Sequence, residues 1–481
     1  MKAPFSSYLN GIAPGLKELI TLLRAQYDYV SVLSTDSVGF TVSISQRTKS
    51  VSRETIATER GTVVRVYKNG LYAESAFTGF DPAKAKETFE AITSELDAQL
   101  RLLHAAGVKA YETGALPDEA RTIFAEMETG RLPEEESISS MVDKLSAVSD
   151  QGMKAGADQG LKLIDFQVRA CSTHVCKMFL TEHQDLRQSY TFSEGSTFAL
   201  VAGEERTDLA YSSLSGRKGP ELFDHLEDKI PEVLRIAKDL VSAERIVPGE
   251  YDVITAPEVT GLIAHEAFGH GVEMDMFVKG RALGADYIGK RVGSDMVTMH
   301  EGALCVEDVT SYAFDDEGTP AGDVTEIDKG ILRSGICDAL SALRLGVQPT
   351  GNGKRESFSH KVYTRMTNTM FDSGTSTLEE MIASIDNGYL LEGMQSGMED
   401  PKHWGIQCIL DRGYEIKNGK LTGKVVSPLV MTGYVPDLLG SVSMVSTDRQ
   451  SFGSGACGKG HKEWVKVADG GPYLKAKVRL G

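Results

Sequence analysis

Apolar residues recur at helical spacing in three parts of the first half of the chain. They predict helices over residues 8–26, over a stretch that begins at Asp81 and Pro82, and over residues 219–243. Aspartate can cap the second helix, and proline suits its first turn. The apolar stripe of that helix consists of Phe89, Ile92, Leu96, Leu100 and Leu103.

Alternating polar and apolar positions predict strands between these helices. Two examples are TVSISQ from Thr41 and TVVRVYK from Thr62. Asn69-Gly70 follows the second run and predicts a hairpin turn, because both residues accept positive φ. Residues 114–137 break the pattern with prolines and consecutive glutamates, so we expect an exposed acidic excursion with short helices there.

Pro248 and Gly249 mark a change in the character of the chain. Proline and glycine interrupt regular structure, and the sequence beyond them is rich in glycine and in short strand-like runs. We therefore predict an α+β protein with two domains. Residues 1–247 would form an N-terminal domain of mixed helices and strands, and residues 248–481 a glycine-rich, mainly β C-terminal domain that carries the helix of a candidate metal site.

One helix and one hairpin are clear in the second half. Ser376 is expected to cap the helix, Glu379 to close its capping box, and Asn387-Gly388 to end it. An Asn-Gly pair between YEIK and KLTG predicts the hairpin.

Size and charge narrow the function. At 481 residues the chain exceeds the usual size of one hydrophobic core, which agrees with two domains. Its 51 basic and 68 acidic side chains give a net charge of −17. That balance argues against a broad phosphate-binding face, so we predict no direct nucleic-acid partner.

The cellular compartment follows from what the chain lacks. Its first residues, MKAPFSSYLNGIAPGLKELI, contain no uninterrupted apolar run, so no secretory signal is expected. No stretch approaches the length that spans a bilayer, so no membrane partner is expected either. Six cysteines are few for this length, and without export they are expected to be reduced. We predict a cytoplasmic protein.

The strongest chemical signal is the segment His265-Glu266-Ala-Phe-Gly-His270, on a helix expected to begin at Pro257. Imidazoles bind zinc and other divalent transition metals, and a neighbouring carboxylate can activate metal-bound water. A spacing of five residues turns the second histidine about 140° from the first on a regular helix. Both can face one ion only if the helix is irregular, and Gly269 is where we expect this.

Two histidines leave at least one protein ligand to be found. Glu273 and Asp275 follow the motif closely, but either could instead hold a histidine in the correct tautomer. Cys457 lies in the glycine-rich stretch SFGSGACGKGH, although a buried inert thiol is the commoner fate of a cysteine. His461 ends the same stretch. The residues alone leave these four candidates open.

The second half of the chain contains several separated motifs, which are HEAFGHG with Glu273 and Asp275, DDEGTP from Asp315, PTGNGKRES from Pro349, RMTNT from Arg365 and ACGKG from Ala456. Together they resemble the TldD/PmbA family, which is often labelled a modulator of DNA gyrase, and the resemblance is strongest between residues 250 and 481. The metal motif makes the chain similar to the TldD branch, since PmbA-type members lack it. One stretch, GMQSGMEDPKHWG from Gly393, departs from the glycine-rich pattern of that branch.

The resemblance implies a metallopeptidase that cleaves short or unfolded peptides. By the match of motifs, His265, His270 and Cys457 would be the ligands of Zn²⁺, and Glu266 would be the general base. A thiolate ligand leaves Fe²⁺ or another divalent transition metal open. The family also implies a homodimer, or a heterodimer with a PmbA-type (TldE-type) subunit.

Three further residues are candidates for substrate binding. Arg355 and Arg365 could bind a peptide carboxylate, or equally hold a loop by ion pairs. Asn368 could orient substrate, or stabilise a turn.

Two other functions compete with the peptidase. A deformylase-type amidase uses two histidines, a cysteine and a glutamate, but with a histidine spacing of four residues. A regulatory or scaffold protein of the gyrase or toxin–antitoxin system would bind its partner without cleaving it.

Overall fold

Two large sheets, one in each half of the chain, form the framework of the molecule. The computed structural model describes residues 1–107, 112–204, 206–461 and 463–481. The first sheet has eight strands and the second has eleven. Helices accompany both sheets and the second half is mainly β, so the predicted α+β class is confirmed.

The first sheet consists of β1 to β8. Their bounds are Tyr29–Ile44, Lys49–Ser52, Glu59–Lys68, Leu71–Phe77, Arg121–Glu126, Leu163–Leu180, Gln184–Ala202 and Thr207–Gly216. The spatial order is β4-β3-β1-β6-β7-β5, with β2 beside β1 and β8 beside β7. All neighbours are antiparallel except β5 and β7.

Four helices, α1 to α4, cover one face of this sheet. They span Ser7–Arg24, Ala85–Ala106, Ile138–Asp158 and Ile230–Ser242. Along β1, Val32 packs in a core with α1 and α2, and Phe40 packs in a core with α3 and α4. Leu33 points the other way and packs with Phe314 of the second half. Since side chains alternate along a strand, the second half of the chain covers the face opposite the helices.

The second half contains β9 to β23. Their bounds are Gly249–Thr255, Met299–Glu301, Val324–Asp328, Ile331–Leu332, Gly353–Lys354, Tyr363–Thr364, Asn368–Phe371, Asn387–Asp400, Gly405–Lys417, Lys420–Val426, Leu429–Tyr434, Met444–Phe452, Ala456–Lys459, Glu463–Lys466 and Ala468–Leu480. Two pairs, β13 with β14 and β21 with β22, form separate hairpin-like sheets. The rest form the eleven-stranded sheet.

This second sheet closes on itself. Its order is β12-β11-β10-β15-β23-β19-β17-β16-β9, and β9 also pairs with β23. The strands β23, β19, β17, β16 and β9 therefore form a ring. Five short helices, α5 to α9, accompany it and span Pro257–Leu262, Met274–Val278, Ala339–Leu345, Leu378–Ala383 and Val435–Gly440. The first of these follows β9 directly, so the ring fixes where the candidate metal-site helix begins.

Several local predictions are confirmed. Helix α1 lies within two residues of the predicted range at both ends. Asn69 and Gly70 join β3 to β4, and both have positive φ. Asn418 and Gly419 join β17 to β18, and both of them also have positive φ.

Other predictions are wrong. Residues 114–137 are not simply an exposed excursion, because they contain β5 and bury Leu116 and Leu132. The helix expected over residues 219–243 is broken into two 3₁₀ turns followed by α4. Proline in the interior of a helix breaks it, whereas the first turn accepts it. Pro231 lies in the first turn of α4, so the helix begins there and not at residue 219.

The capping box in the second half lies one residue later than predicted. Thr377 and Glu380 form it, in place of Ser376 and Glu379, and α8 ends at Ala383, before Asn387-Gly388. The boundary expected at Pro248 falls between α4 and β9. The division into two domains there stays a prediction.

Candidate metal centre

The helix that carries the two histidines changes its winding within the motif. After α5 it continues as a π-helical turn over Ile263–Phe268 and then as a 3₁₀ turn over Gly269–Val272. A π turn places residues five apart on one face, because its hydrogen bonds join residue i to residue i+5. The irregular helix expected from the spacing of His265 and His270 is thus present, although it begins before Gly269.

Close packing explains the glycine at position 269. A Cβ there would lie 2.2 Å from Sδ of Met366, so the fully buried Met366 would have to move. Glycine therefore lets the helix end press against Met366. On the far side, Trp404 is fully buried and packs against Phe268, with ring centroids 5.9 Å apart.

The structure brings His265, His270 and Cys457 together. One ligand atom from each lies within 4.8 Å of the others. The two imidazole rings are nearly perpendicular, with centroids 5.1 Å apart, and Sγ of Cys457 lies 3.5 Å from Nε2 of His270. Cys457 belongs to β21, so a strand distant in sequence supplies the third donor.

The electrostatics favour a thiolate at this position. Burial raises the pKa of Cys457, but His265 and His270 outweigh burial and hold that pKa well below its usual range. For His265 burial acts in the opposite direction and lowers the pKa. Cys457 and Glu266 outweigh burial and raise the pKa of His265 to about 9. A thiolate among imidazoles is the ligand set that zinc prefers in proteins, so the donors fit a metal of this kind.

Glu273 supports His270 from behind. Its Oε2 lies 3.0 Å from Nδ1 of His270, and Nζ of Lys459 lies 3.0 Å from the same oxygen. Lys459 also contacts Oδ1 of Asp275 at 2.7 Å and the backbone oxygen of Thr364 at 3.0 Å. Such an outer partner fixes the ring and leaves Nε2 of His270 directed at Cys457.

Of the four candidates for the third ligand, Cys457 alone joins the histidines within the described residues. Glu273 bonds to His270, and Asp275 pairs with Lys459 and with Lys279. His461 is exposed and lies outside the cluster.

Glu266 lies beside the cluster without belonging to it. Its Oε2 is 3.8 Å from Nε2 of His270, and about a fifth of its side chain is exposed. Strand β16 crosses directly over it, because a Cβ at Gly397 would lie 2.6 Å from Cγ of Glu266. The stretch that departs from the family pattern therefore borders the candidate site.

Two other carboxylates lie near His265 and differ in their bonding. Glu301 is fully buried and accepts hydrogen bonds from Asn352, Thr367 and Thr369. Asp469 of β23 is buried as well, but its Oδ1 has no partner. Burial raises the pKa of Asp469 to about 7, and the charge of His265 acts in the opposite direction.

The three residues predicted to bind substrate make internal contacts instead of lining the cluster. Arg355 pairs with Glu74 of the first half. Arg365 donates hydrogen bonds to the backbone oxygens of Cys457 and Glu463 and so holds β21 and β22. Asn368 donates to the backbone oxygen of Val306 at 2.9 Å and is fully buried. These contacts support the alternative that the sequence left open, in which the side chains hold loops in place.

Three residues near the site were not found from the sequence: Gly397, Lys459 and Asp469. Lys459 lies two positions after Cys457 in the motif ACGKG, and this closeness is the only feature of the sequence that could have indicated its place near the site. The other two lie on strands far from the histidines in the chain, and nothing in their local pattern indicates the contact.

The chain is similar in sequence to known proteins. Residues 248–477 match the model of the PmbA/TldA metallopeptidase C-terminal domain. The chain is 33% identical, over 57% of its length, to the metalloprotease TldD homolog of Buchnera aphidicola. The match covers 56% of that relative, so the chain spans little more than half of it. A metalloprotease of Synechocystis sp. is 25% identical over 96% of both chains.

The whole fold is similar to a solved structure. The crystal structure of TldE from Thermococcus kodakarensis superposes with a TM-score of 0.74 at 18% identity, over 97% of this chain and 100% of that one.

Within the ranges that the structure describes, no helix combines the length and apolar character needed to cross a membrane.

Proposed function

Because the chain belongs to the PmbA/TldD family, we propose that it is a metal-dependent peptidase. The observation that carries the proposal is the convergence of His265, His270 and Cys457 beside Glu266. In this proposal the first three hold the metal and Glu266 is the general base. The relatives' names as metalloproteases support the same reaction class.

Zinc is the metal that we propose, since two imidazoles and a thiolate are among its usual ligand sets. Fe²⁺ and other divalent transition metals also accept these donors, so metal identity rests on direct measurement. Three protein ligands leave a position open, as catalytic zinc sites require. When bound, the metal would polarise the scissile carbonyl and acidify water in that position.

The chain's own contribution to the chemistry is proton transfer and positioning. Glu266 accepts the proton of the attacking water and returns it to the leaving amine. Glu273 keeps the ring of His270 oriented, and Lys459 keeps Glu273 oriented. Strand β16 closes over Glu266 and limits the positions that its carboxylate can take.

We propose short or unfolded peptides as substrates. Cys457 and His265 are buried, and the side chain of His270 is only 18% exposed. A folded surface cannot reach donors at that depth, so we propose a substrate narrow enough to enter, which a short or unfolded peptide is. We also propose that the chain works as a homodimer or as a heterodimer with a TldE-type subunit, which is what the family resemblance implies. All six cysteines lie outside disulfides, which supports a reducing, cytoplasmic location.

The test uses Glu266→Gln in the metal-loaded chain, alone and with a TldE-type subunit. We expect hydrolysis of an unstructured polypeptide such as casein to fall roughly 10²–10⁴-fold, because a general base contributes about that much. Metal content should stay at the wild-type value, and a chelator should abolish wild-type cleavage. Glu379→Gln, on the exposed surface of α8, is the matched control and should cleave normally.

Two outcomes would favour the competing functions. Hydrolysis confined to N-formylated peptides would indicate a deformylase. A wild-type protein that binds metal but cleaves nothing in either assembly would contradict the peptidase and favour a scaffold.

A further inference from the structure

Asp469 is a buried carboxylate with no bonding partner among the described residues. It is 6% exposed, and its Oδ1 is enclosed by protein without a hydrogen bond. Burying a carboxylate without compensation is costly, so such a group needs a partner. It lies at the start of β23, opposite Phe452 of β20 and Thr369 of β15. Neither neighbour supplies a hydrogen bond to it.

The metal-site helix places His265 near this carboxylate. A Cβ at Gly261 would lie 2.4 Å from Oδ1 of Asp469, so the carboxylate rests against the helix one turn before His265. Helical side chains lean towards the N-terminus and cover the preceding turn. The imidazole of His265 therefore leans in the direction of Asp469, and glycine at position 261 leaves the space between them open.

His265 lacks the support that His270 has. Nδ1 of His270 is bonded to Glu273, whereas Nδ1 of His265 is buried and has no partner. Histidines that ligate metals almost always donate their second N–H to a carboxylate, carbonyl or water. Glu301 also lies near His265, but both of its oxygens already accept hydrogen bonds, from Thr367, Thr369 and Asn352, whereas Oδ1 of Asp469 accepts none. A buried donor, Nδ1–H of His265, and a buried acceptor, Oδ1 of Asp469, therefore lie on neighbouring elements, and neither forms a hydrogen bond.

From these placements, and resting on the proposed function, we propose that Asp469 is the positioning residue of His265. With the metal bound, its carboxylate accepts the Nδ1 proton of His265, which fixes the tautomer and directs Nε2 at the metal. No hydrogen bond joins the two side chains in this structure. Both atoms are without a hydrogen bond here, so each is free to take the other as its partner when the metal is bound.

Metal affinity tests the proposal independently of catalysis. We expect Asp469→Asn to weaken binding of Zn²⁺ roughly 10-fold and Asp469→Ala up to 100-fold, measured by competition with a chromophoric chelator, as outer partners of ligating histidines do. In protein loaded with Co²⁺, the visible ligand-field bands should shift in both variants, because the imidazole donor is reoriented. A role confined to packing would leave those bands unchanged.

The matched control is Asp308→Asn. Asp308 is also a buried aspartate near Asp469, but its oxygens are bonded to Ser451 and to the backbone of Val309. It should lower stability without changing metal affinity or the Co²⁺ spectrum. If Asp469→Ala does not fold, Asp469→Asn, which keeps the volume, decides alone.

Three results have distinct meanings. Wild-type affinity and spectrum in folded Asp469→Asn would overturn the positioning role and leave the peptidase intact. Weaker binding with shifted bands would support it. A wild-type chain that binds no metal would overturn both this role and the proposed function.

Discussion

At the scale of single residues, the spacing around Glu266 is set by a glycine on another strand. Gly397 of β16 lies against the side chain of Glu266, and a methyl group there would come within 2.6 Å of Cγ and 2.7 Å of Cβ. Leu262 fills the remaining space, with Cδ1 3.1 Å from the same point. Because Cβ and Cγ are the part of the side chain nearest the helix backbone, a larger residue at position 397 would have to displace Glu266 or β16.

We expect Gly397→Ala to lower kcat roughly 10-fold to 100-fold, because a shift of about 1 Å in a catalytic group has effects of that size. None of the three atoms nearest to the Cβ position of residue 397 belongs to a proposed metal ligand, so metal affinity should stay within about twofold of wild type. Steady-state kinetics and chelator competition measure the two quantities. Gly405→Ala, in the paired strand and with nothing near its Cβ position, is the control. Equal kcat in both variants would show that β16 does not position Glu266.

The candidate site was predictable only as far as its residues are close in sequence. His265, Glu266 and His270 form one local pattern, and their spacing correctly indicated an irregular helix. Cys457 lies 187 residues beyond His270, and family resemblance alone singled it out from four candidates. Lys459 and Asp469 reach the site through strand pairing, which no local pattern encodes.

At the scale of elements, Lys459 ties the strand that carries Cys457 to the turn after the histidines. It is the shared partner of Glu273 and Asp275, and all three side chains are buried or nearly so. Without its ammonium group, Glu273 would lose the largest of the charges that offset the burial of its carboxylate. Only His270 and the charge of Arg365 would then act against burial among the groups named for Glu273.

We expect Lys459→Met to lower the free energy of unfolding by about 3–5 kcal/mol, the usual result of removing one partner from a buried ion pair. Urea denaturation of the metal-free protein measures it. Lys279→Met removes the other lysine from Asp275, but Lys279 is 41% exposed, so about 1 kcal/mol or less is expected. Equal losses would indicate that β21 does not depend on the buried lysine.

Elements were predicted best where local signals agreed with distant contacts. Both Ser376 with Glu379 and Thr377 with Glu380 satisfy the capping pattern. The backbone of Ser376 is already bonded to Val445 and Thr447, so the cap passes to Thr377. Strand β5 was missed for a similar reason, since it is short, rich in polar residues and stabilised by pairing with the distant β7.

At the scale of the whole molecule, a cluster of buried charges joins the two halves. Glu74 of β4 contacts Arg65 of β3 and Arg355 of the second half. Arg65 in turn pairs with Glu317. Burial raises the pKa of Glu74, but the two arginines outweigh it and lower that pKa to about 2.

This shift predicts how stability depends on pH. The folded-state pKa of Glu74 lies below its unfolded value of about 4.3, so its contribution is fully present above that pH and is lost as the pH falls towards 2. With a discount for its partial exposure, we expect the contribution to be about 2 kcal/mol. Urea midpoints at pH 6 and pH 3 should differ less in Glu74→Gln than in wild type.

The exposed Glu87→Gln in α2 is the control for that experiment and should follow the wild-type pH dependence. Parallel behaviour of Glu74→Gln and wild type would mean that the two arginines do not lower the pKa of Glu74 in the folded protein.

The long separation of the metal donors along the chain has a consequence for biosynthesis. A ribosome that adds roughly 5–20 residues per second needs roughly 10–40 seconds to travel from His270 to Cys457, 187 residues later. During that time the nascent polypeptide offers two imidazoles without the sulfur. In the proposed site, capture of the ion would therefore be a late event in maturation, and it would depend on the metal pool that the newly made protein meets after β21 has emerged.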